Sequence, residues 1–484
     1  MDLKRQKFLV LGLSKSGEAA AKFLLSRGAK VQVYDDVDSE KIRLKTQALI
    51  KLGGVAVERE KLNDTVGECD ALVLSPGIPI DHPLAVAFKR ARKAVLGETE
   101  LAARYFKGLS IAVTGTNGKT TTVSMIEKIL QGAGIEAKSC GNIGTPMIEA
   151  LSDGNDEVAV AEISSFQLET LNSFCPHIAV ILNVTEDHLN RHYNMENYVF
   201  LKRKLLKNLT ESEYAVLNYD DPIVRAFADG VKAKTVWFSV KERVNGAYYL
   251  GGDLYFKEEK ILSAEEMLLP GVHNVQNGLA ALACAKILGV PSERIAASLK
   301  EFKGIRHRIE SVAIVDGVEY VDDSKGTNVD ATVKAVENMK TDTVLLLGGK
   351  DKGYDYGALF AAVQGGKVVA AVLYGENRYA LLSAARKSGF AKVFVCPLFE
   401  DAVRLSRMIA KAGQTVLLSP ASASFDEFSG YEERGERFCA IVRSFEPIEP
   451  VEPVDCIEES NPVEPIEEGG ESVCAAAFAL EETE

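Results

Sequence analysis

The chain has 484 residues, 46% of them hydrophobic and 26% charged, which is the composition of a globular protein with several domains. Its formal net charge is −13, and residues 446–484 alone hold 13 acidic residues and no basic one, so residues 1–445 sum to zero. This neutral body argues against nucleic-acid binding, and no apolar run approaches the roughly 18 residues of a membrane span.

The first predicted unit is a strand, a glycine turn and a helix followed by a second strand, as in a βαβ unit. Residues 8–11 are apolar like a buried strand, and residues 30–34 form a second strand that ends at Asp35. The dinucleotide fingerprint would need a glycine at Ser14, so NAD is not expected as a cofactor. A turn of this kind that binds no nucleotide is the alternative.

A further strand closes this unit. Residues 71–74 are apolar, and the turn SPGIP follows at residues 75–79. The turn lies at the carboxyl end of its strand, where open α/β sheets bind ligands. We therefore predict that residues 1–97 form a Rossmann-like domain.

Residues 109–122, LSIAVTGTNGKTTT, join a short apolar strand to a helix through a glycine turn. Such a turn presents backbone N–H groups and the positive end of a helix to an anion. We expect Lys119 to reach the outer phosphates of a nucleotide and the Thr120 hydroxyl to ligate Mg²⁺. The strict P-loop has a glycine where this chain has Val113, so an ordinary strand–helix turn is the alternative.

Two later strands end in residues that can bind a metal ion. Residues 158–163 carry Glu162 near their end, and residues 178–182 run into NVTEDHLNRH, which contains His188. Because parallel strands end at the same edge of a sheet, we expect both side chains at the mouth that holds the phosphates. Oxygen ligands of this kind suit Mg²⁺. The basic segment 198–209 is expected to be mainly a solvated face.

Short β-like runs within residues 233–270 predict a hairpin insertion. With it, residues 98–304 make up a predicted central α/β domain of the P-loop type that binds ATP. From residue 305 to residue 445, strands again alternate with helical stretches, which predicts a mainly parallel sheet in a second Rossmann-like α/β domain.

The acidic, Pro-rich residues 446–484 cannot bury a core, and we predict a disordered tail. Within it the short apolar patch at residues 473–480 is a candidate for weak docking of a partner, and a solvated tail without a function is the alternative. Eight cysteines at wide spacings, with no C-x-x-C pair, argue against a zinc site or a disulfide framework. They predict a reducing compartment, the cytoplasm.

Over residues 5–445 the chain resembles the Mur ligase family, whose motifs occur here in the family's order. They are TGTNGKTTT, GNIG, EISSFQLE, LNVTEDHL, HNVQN, RHRIE, DDSKGTN, LGGKDKG and LLSPASASFDEF. Together, SPGIP, SSFQLET and GGKDKG are similar to the D-glutamate-adding members. The resemblance implies an ATP-dependent ligase that adds D-glutamate to UDP-N-acetylmuramoyl-L-alanine through an acyl phosphate, in cytoplasmic peptidoglycan synthesis.

The resemblance also implies roles for individual residues. Those expected to contact the UDP substrate are Ser14, Lys15, Asp35, Ser75, Pro76, Gly77 and Asn142. Those expected to bind ATP are Gly115, Thr116, Asn117, Gly118, Lys119, Thr120, Thr121, Asn277, Arg308 and Asp323. Those expected to hold Mg²⁺ are Thr120, Glu162, His188 and a carbamylated Lys202, the last three being catalytic together with Lys119. Those expected to contact D-glutamate are Lys325, Thr327, Lys352, Ser424 and Phe425.

Other ligases of the family and a nucleotide-binding regulatory protein are the alternatives. A folylpolyglutamate synthetase lacks an N-terminal UDP domain of this kind. A meso-diaminopimelate-adding ligase usually carries a DNPR-type signature, which this sequence does not contain. A regulatory protein without ligase chemistry would lack the set of Lys325, Lys352 and Ser424, all of which are present.

Overall fold

The structure is a computed structural model, and it describes residues 3–142, 144–150, 158–269, 271–304, 306–351 and 353–445. These residues form three β-sheets, with helices between the strands along the chain. The tail predicted to be disordered, the docking patch in it and Lys352 lie outside the described residues. No helix in the described ranges is long and apolar enough to cross a membrane.

Five parallel strands form the first sheet: β1 (Lys7–Leu11), β2 (Lys30–Tyr34), β3 (Val55–Ala56), β4 (Ala71–Leu74) and β5 (Ala94–Gly97). The helices between them are α1 (Lys15–Ser26), α2 (Glu40–Lys51), α3 (Asp64–Glu68) and α4 (Pro83–Arg90). The order across the sheet is β3-β2-β1-β4-β5, so strand order reverses between β1 and β4. The turns after these two strands therefore lie side by side, at the position where such sheets bind ligands.

Both faces of the first sheet are covered by apolar side chains. Phe8 and Val10 of β1 enter one core, whereas Leu9 and Leu11 enter the other. A strand buried on both faces has to be apolar at every position, because successive side chains point to opposite faces. This is why residues 8–11 are a continuous apolar run, and the strand predicted there is confirmed.

The second sheet has nine strands: β6 (Ser110–Thr114), β7 (Ala137–Gly141), β8 (Val158–Glu162), β9 (Ile178–Ile181), β10 (Tyr214–Asn218), β11 (Lys234–Ser239), β12 (Gly246–Leu250), β13 (Asp253–Phe256) and β14 (Glu259–Ser263). Its helices are α5 (Glu98–Tyr105), α6 (Lys119–Gly132), α7 (Met147–Ala150), α8 (Ser165–Thr170), α9 (Leu189–His192), α10 (Met195–Arg203), α11 (Pro222–Ala226), α12 (Val272–Ile287) and α13 (Ser292–Lys300). The strand order is β14-β13-β12-β11-β10-β9-β6-β8-β7. Strands β12 to β14 pair antiparallel, which confirms the predicted hairpin insertion.

Six strands form the third sheet: β15 (Glu310–Val315), β16 (Val318–Asp322), β17 (Thr343–Gly348), β18 (Val368–Tyr374), β19 (Val393–Val395) and β20 (Thr415–Leu418). The helices after β16 are α14 (Val329–Glu337), α15 (Gly357–Gly365), α16 (Arg378–Ser388), α17 (Phe399–Ile409) and α18 (Tyr431–Arg443). The order is β15-β16-β20-β17-β18-β19, and β15 alone pairs antiparallel with its neighbour among these strands. The sheet is mainly parallel, as predicted.

The basic segment around α10 differs in part from its prediction. Arg203 and Lys207 are exposed, but Lys202 is buried and Lys204 is half-buried. The Lys204 ammonium donates to two backbone carbonyls of α8, at 2.8 and 2.9 Å. A lysine stem packs readily on apolar neighbours when its ammonium finds acceptors, so charge alone did not identify the face that is buried.

Candidate active site

A cavity of about 630 Å³ lies at the carboxyl end of β6 and is lined by residues from all three domains. The lining residues that sequence analysis had singled out are Lys15, Thr116, Asn117, Gly118, Lys119, Thr120, Asn142, Glu162, His188, Asn277, Arg308, Asp323, Lys325 and Thr327. The fold therefore gathers into one space side chains that are spread over more than 300 positions of the chain.

The turn between β6 and α6 has the form of a phosphate-binding loop. The Asn117 N–H donates to the side-chain oxygen of Asn183 at 2.8 Å, which holds the turn against the end of β9. Gly118 has a positive φ of 85°, and a Cβ there would collide with the side-chain oxygen of Asn277. Lys119 and Thr120, the first residues of α6, both line the cavity. The positive end of α6 therefore faces the cavity, as an anion site requires.

Lys119 supplies a cation at this turn and lines the cavity. Its ammonium donates to the carbonyls of Gly115 and Thr116, at 2.9 and 2.7 Å. Burial lowers the pKa of Lys119, and the charges of Glu162 and Asp187 oppose that shift. Because the ammonium lies against the loop itself, the residues present fit the phosphates of a nucleotide.

An oxygen-rich group lies beside the loop, at the end of β8. The Thr120 hydroxyl donates to one carboxylate oxygen of Glu162 at 2.8 Å, and the Asn142 amide donates to the other at 2.8 Å. His188 lines the same cavity, with its ring nitrogen 3.5 Å from a carboxylate oxygen of Asp187. A hydroxyl, a carboxylate and an imidazole together form a donor set that fits a divalent cation.

Lys202 is buried directly beneath the loop. Its ammonium donates to the Gly115 carbonyl at 2.7 Å and to the Thr114 hydroxyl at 3.3 Å, and it lies 5.0 Å from the centre of the Tyr198 ring. Burial, together with the charge of Lys119, lowers the pKa of Lys202 well below its ordinary value. The lysine therefore lies next to the loop but not among the residues that line the cavity.

The third domain supplies part of the cavity wall. Arg308 donates to the Thr121 hydroxyl at 2.9 Å and so bridges the two domains. Burial raises the pKa of Asp323 to about 7, although the Ser419 hydroxyl and Arg308 both favour the charged form. Burial also lowers the pKa of Lys325 to about 8, and its ammonium lies 3.2 Å from the Tyr431 hydroxyl. Arg308 thus contacts the phosphate loop directly, and Asp323 and Lys325 line the same cavity.

The residues predicted for the UDP substrate lie around the two adjacent turns of the first sheet. The Ser14 and Ser75 hydroxyls share a hydrogen bond. Asp35 accepts the Leu13 N–H at 2.6 Å, which fixes the first turn against the end of β2. Lys15 donates to the carbonyl of Gly144 in the central domain. Pro76 and Gly77 follow Ser75 in the second turn.

Two predicted residues lie elsewhere. Ser424 is buried and its carbonyl accepts the Phe428 N–H at 2.9 Å, while the Phe425 side chain is 69% exposed. Neither lines the cavity. Both follow β20 in a loop whose other small side chains are turned inward, so position in a motif did not determine which way each side chain faces.

Sequence reasoning missed the contacts that hold the third domain on the loop. Asp187 accepts hydrogen bonds from the Tyr354 hydroxyl at 2.7 Å and from the Asn328 amide at 3.3 Å. Asp330 accepts from the Asn117 amide and from the Thr185 hydroxyl. Asp187 immediately precedes His188 in the segment after β9, and this position could have marked it as a residue of the site. The partners are too far along the chain for spacing to reveal.

Three family models match the chain. They are the Mur ligase MurD-like N-terminal domain over residues 6–97, the Mur ligase middle domain over residues 113–285 and the Mur ligase glutamate ligase domain over residues 307–422. The UDP-N-acetylmuramoylalanine–D-glutamate ligase of Pelotomaculum thermopropionicum is 41% identical over 456 residues, which cover 92% of this chain and 98% of that protein. The chain belongs to the Mur ligase family.

A second relative of this Mur ligase is the UDP-N-acetylmuramoylalanine–D-glutamate ligase of Clostridioides difficile, 39% identical over 90% of this chain and 98% of that protein. Among solved structures, the UDP-N-acetylmuramate–alanine ligase of Thermotoga maritima has a TM-score of 0.58 at 20% identity, covering 91% of this chain and all of the other. The MurF ligase of the same organism, in complex with ADP, has a TM-score of 0.55 at 18% identity and covers 91% of this chain and 98% of the other. The likeness to these two structures is one of fold.

Proposed function

We propose that this Mur ligase joins the carboxyl group of UDP-N-acetylmuramoyl-L-alanine to the amine of D-glutamate, converting ATP to ADP and phosphate, in cytoplasmic peptidoglycan precursor synthesis. One observation carries the proposal: the phosphate loop, the Glu162–Thr120 pair and the cationic wall of Arg308 and Lys325 meet in one cavity. The names of the relatives support the choice of substrates. We place the domain boundaries after residues 97 and 304.

ATP would bind with its phosphates in the loop from Gly115 to Thr121. The N-terminus of α6 and the Lys119 ammonium supply positive charge there. Asn277 and Asp323 line the same cavity and would contact the base and the ribose. Arg308, already anchored on the Thr121 hydroxyl, would bring the third domain to the nucleotide.

Two magnesium ions would be held, one by the Thr120 hydroxyl and the other by Glu162, His188 and a carbamylated Lys202. When bound, they would neutralise phosphate charge and polarise the bond to be broken. An unmodified ammonium at Lys202 would repel the ion, whereas a carbamate carries a negative charge. The place of Lys202, buried against Gly115 of the loop, supports this assignment.

The reaction would proceed in two steps. The substrate carboxylate attacks the γ-phosphate of ATP, which gives an acyl phosphate and ADP. The amine of D-glutamate then attacks the acyl carbonyl, and phosphate leaves with the oxygen that had belonged to the carboxylate. Since the first step brings two anions together, charge neutralisation by Lys119 should be its main requirement.

The two organic substrates would bind on opposite sides of the cavity. The two turns of the first sheet would hold the UDP group, with Lys15 and Asn142 at the border of the central domain. Lys325 and Thr327 would meet the carboxylates of D-glutamate, as charge-assisted hydrogen bonds favour. We extend this site to Lys352, Ser424 and Phe425 on the family resemblance.

An isotope experiment tests the acyl phosphate directly. The alanyl carboxylate of the UDP substrate is labelled with ¹⁸O, and the released phosphate is examined by mass spectrometry. We expect one labelled oxygen in each phosphate, and the parallel reaction in ¹⁸O-labelled water should give none. Unlabelled phosphate from the labelled substrate would contradict the proposed route.

A further inference from the structure

Arg191 lies in α9, the short helix that begins directly after His188, and its side chain is only 13% exposed. Its guanidinium forms a two-point pair with Glu169 of α8, at 3.0 and 2.7 Å. The same guanidinium also donates to three consecutive carbonyls of the first domain, at 3.4, 3.2 and 2.8 Å, and these belong to Pro76, Gly77 and Ile78. One side chain of the central domain is therefore hydrogen-bonded to three residues in the second turn of the first sheet.

This turn is the one we assign to the UDP substrate. Its own hydrogen bond runs from the Ile78 N–H to the Ser75 carbonyl at 2.9 Å. At Gly77 a Cβ would meet nothing within 4 Å, so there is open space on that side of the residue. Three consecutive carbonyls of the turn accept hydrogen bonds from one planar group of another domain, so Arg191 restrains the turn from outside the first domain.

Arg191 also contacts the residues around His188. Its guanidinium carbon lies 5.1 Å from the centre of the Phe166 ring, and that ring and the His188 ring meet edge to face with centroids 4.8 Å apart. His192, one position after Arg191, has a ring nitrogen 3.4 Å from the Glu169 carboxylate. Burial raises the pKa of Glu169, but hydrogen bonds from His192 and Arg191 outweigh it and leave the pKa lowered. The Glu169 carboxylate is therefore ionised and holds the Arg191 guanidinium in place.

We propose that Arg191 is a positioning residue. It fixes the second turn of the first sheet, residues 75–79, relative to His188 and α9. The UDP group and the reacting carboxyl are opposite ends of one substrate, so the distance between the two domains decides whether the carboxyl reaches the γ-phosphate. Small errors in such placement cost large factors in rate. This inference rests on the proposed function.

Lysine cannot replace arginine in this position. The contacts use donors on all three guanidinium nitrogens in one plane, whereas an ammonium is a point charge with three donors. Arg191→Ala leaves a space that free guanidinium can enter, and Arg191→Lys keeps the charge but not the geometry. Tyr193→Phe is the matched control, because it removes another contact between the same two domains, the hydrogen bond to Asp81.

The experiment measures kcat and KM for the UDP substrate and for ATP in the full-length chain, with thermal unfolding alongside. For Arg191→Ala we expect KM for the UDP substrate to rise about tenfold and kcat to fall, with KM for ATP changed less than about twofold. Added guanidinium chloride should restore Arg191→Ala but not Arg191→Lys. Tyr193→Phe should behave as the parent protein does.

Two outcomes would overturn the inference. One is an unchanged KM for the UDP substrate in both Arg191 variants. The other is an equal rise in both KM values with a lowered melting temperature and no guanidinium rescue, which is the mark of a general structural role. If Arg191→Ala does not fold, Arg191→Lys carries the same comparison. A parent protein without D-glutamate-dependent phosphate release would overturn the proposed function instead, and calorimetric binding of the UDP substrate would still test Arg191.

Discussion

Lys202 is a lysine that we expect to act as an anion. Lys202→Ala would remove the proposed carbamate and leave a space beside the Gly115 carbonyl, so we expect most activity to be lost. Acetate or formate can place a carboxylate in that space and should restore part of the activity. Initial rates of phosphate release measure both effects. Lys207→Ala, in the exposed part of the same basic segment, is the control, and full activity in Lys202→Ala would contradict the carbamate.

Asp323 gives the ligand-free protein a predictable pH dependence. Burial raises the pKa of its carboxyl from 3.8 to about 7. Between these values the unfolded chain loses a proton that the folded chain keeps, so raising the pH favours unfolding. Relative to Asp323→Asn, the parent should lose up to about 4 kcal/mol of unfolding free energy as the pH rises from about 4 to about 7. Denaturant unfolding across this range measures the difference, and a constant difference would contradict the account.

At the residue scale the sequence predicted side chains that lie at the ends of strands or in the segments that follow them. Lys119, Glu162 and His188 reach the cavity because parallel strands end at one edge. The Tyr354–Asp187 hydrogen bond joins residues 167 positions apart, and no local pattern predicts such a pair.

Among the elements, the phosphate loop has the strictest requirement on its backbone. Gly118→Ala should lower nucleotide affinity at least about tenfold, because the methyl group would displace Asn277 from the nucleotide site. The left-handed backbone adds a cost of about 1–2 kcal/mol to folding. Calorimetric titration with ATP and Mg²⁺ measures the affinity, and thermal unfolding measures the folding cost.

Gly134→Ala is the control that separates the effect of Gly118→Ala on nucleotide affinity from its effect on folding. Gly134 follows the other end of α6, has a φ of 78° and has nothing within 4 Å of an added Cβ. We expect the same order of destabilisation with unchanged affinity for the nucleotide. Equal loss of affinity in both variants would show that the effect at Gly118 is a general one on folding.

Strands were the elements that the sequence predicted best. Runs such as residues 8–11 and 178–182 are buried on both faces, and few other structures make every position apolar. The basic segment was harder, because Lys202 and Lys204 turn inward while Arg203 turns outward. The elements that pack against a helix decide which of its faces is buried. The periodicity of a charged segment does not predict those neighbours.

At the scale of the whole molecule, hydrogen bonds attach the third domain to the phosphate loop and to Asp187 in the segment after β9. Tyr354→Phe removes the donor to Asp187 and should weaken this attachment by about 1 kcal/mol. We therefore expect kcat/KM for D-glutamate to fall several-fold, with ATP affinity unchanged. Initial rates at varied D-glutamate measure this, with Tyr379→Phe on the exposed surface of α16 as the control. An unchanged kcat/KM would exclude this contact from the working geometry.

The most direct measurement is phosphate release from ATP in the presence and absence of UDP-N-acetylmuramoyl-L-alanine, with D-glutamate, L-glutamate, meso-diaminopimelate or no amino acid. In the proposed function an ATP site lies between a UDP-substrate domain and a cationic amino-acid site, so both organic substrates should be needed. We predict rapid release only with the UDP substrate and D-glutamate together. Two results would contradict the proposed reaction. One is phosphate release without the UDP substrate and without an amino acid, and the other is release with L-glutamate or meso-diaminopimelate but not with D-glutamate.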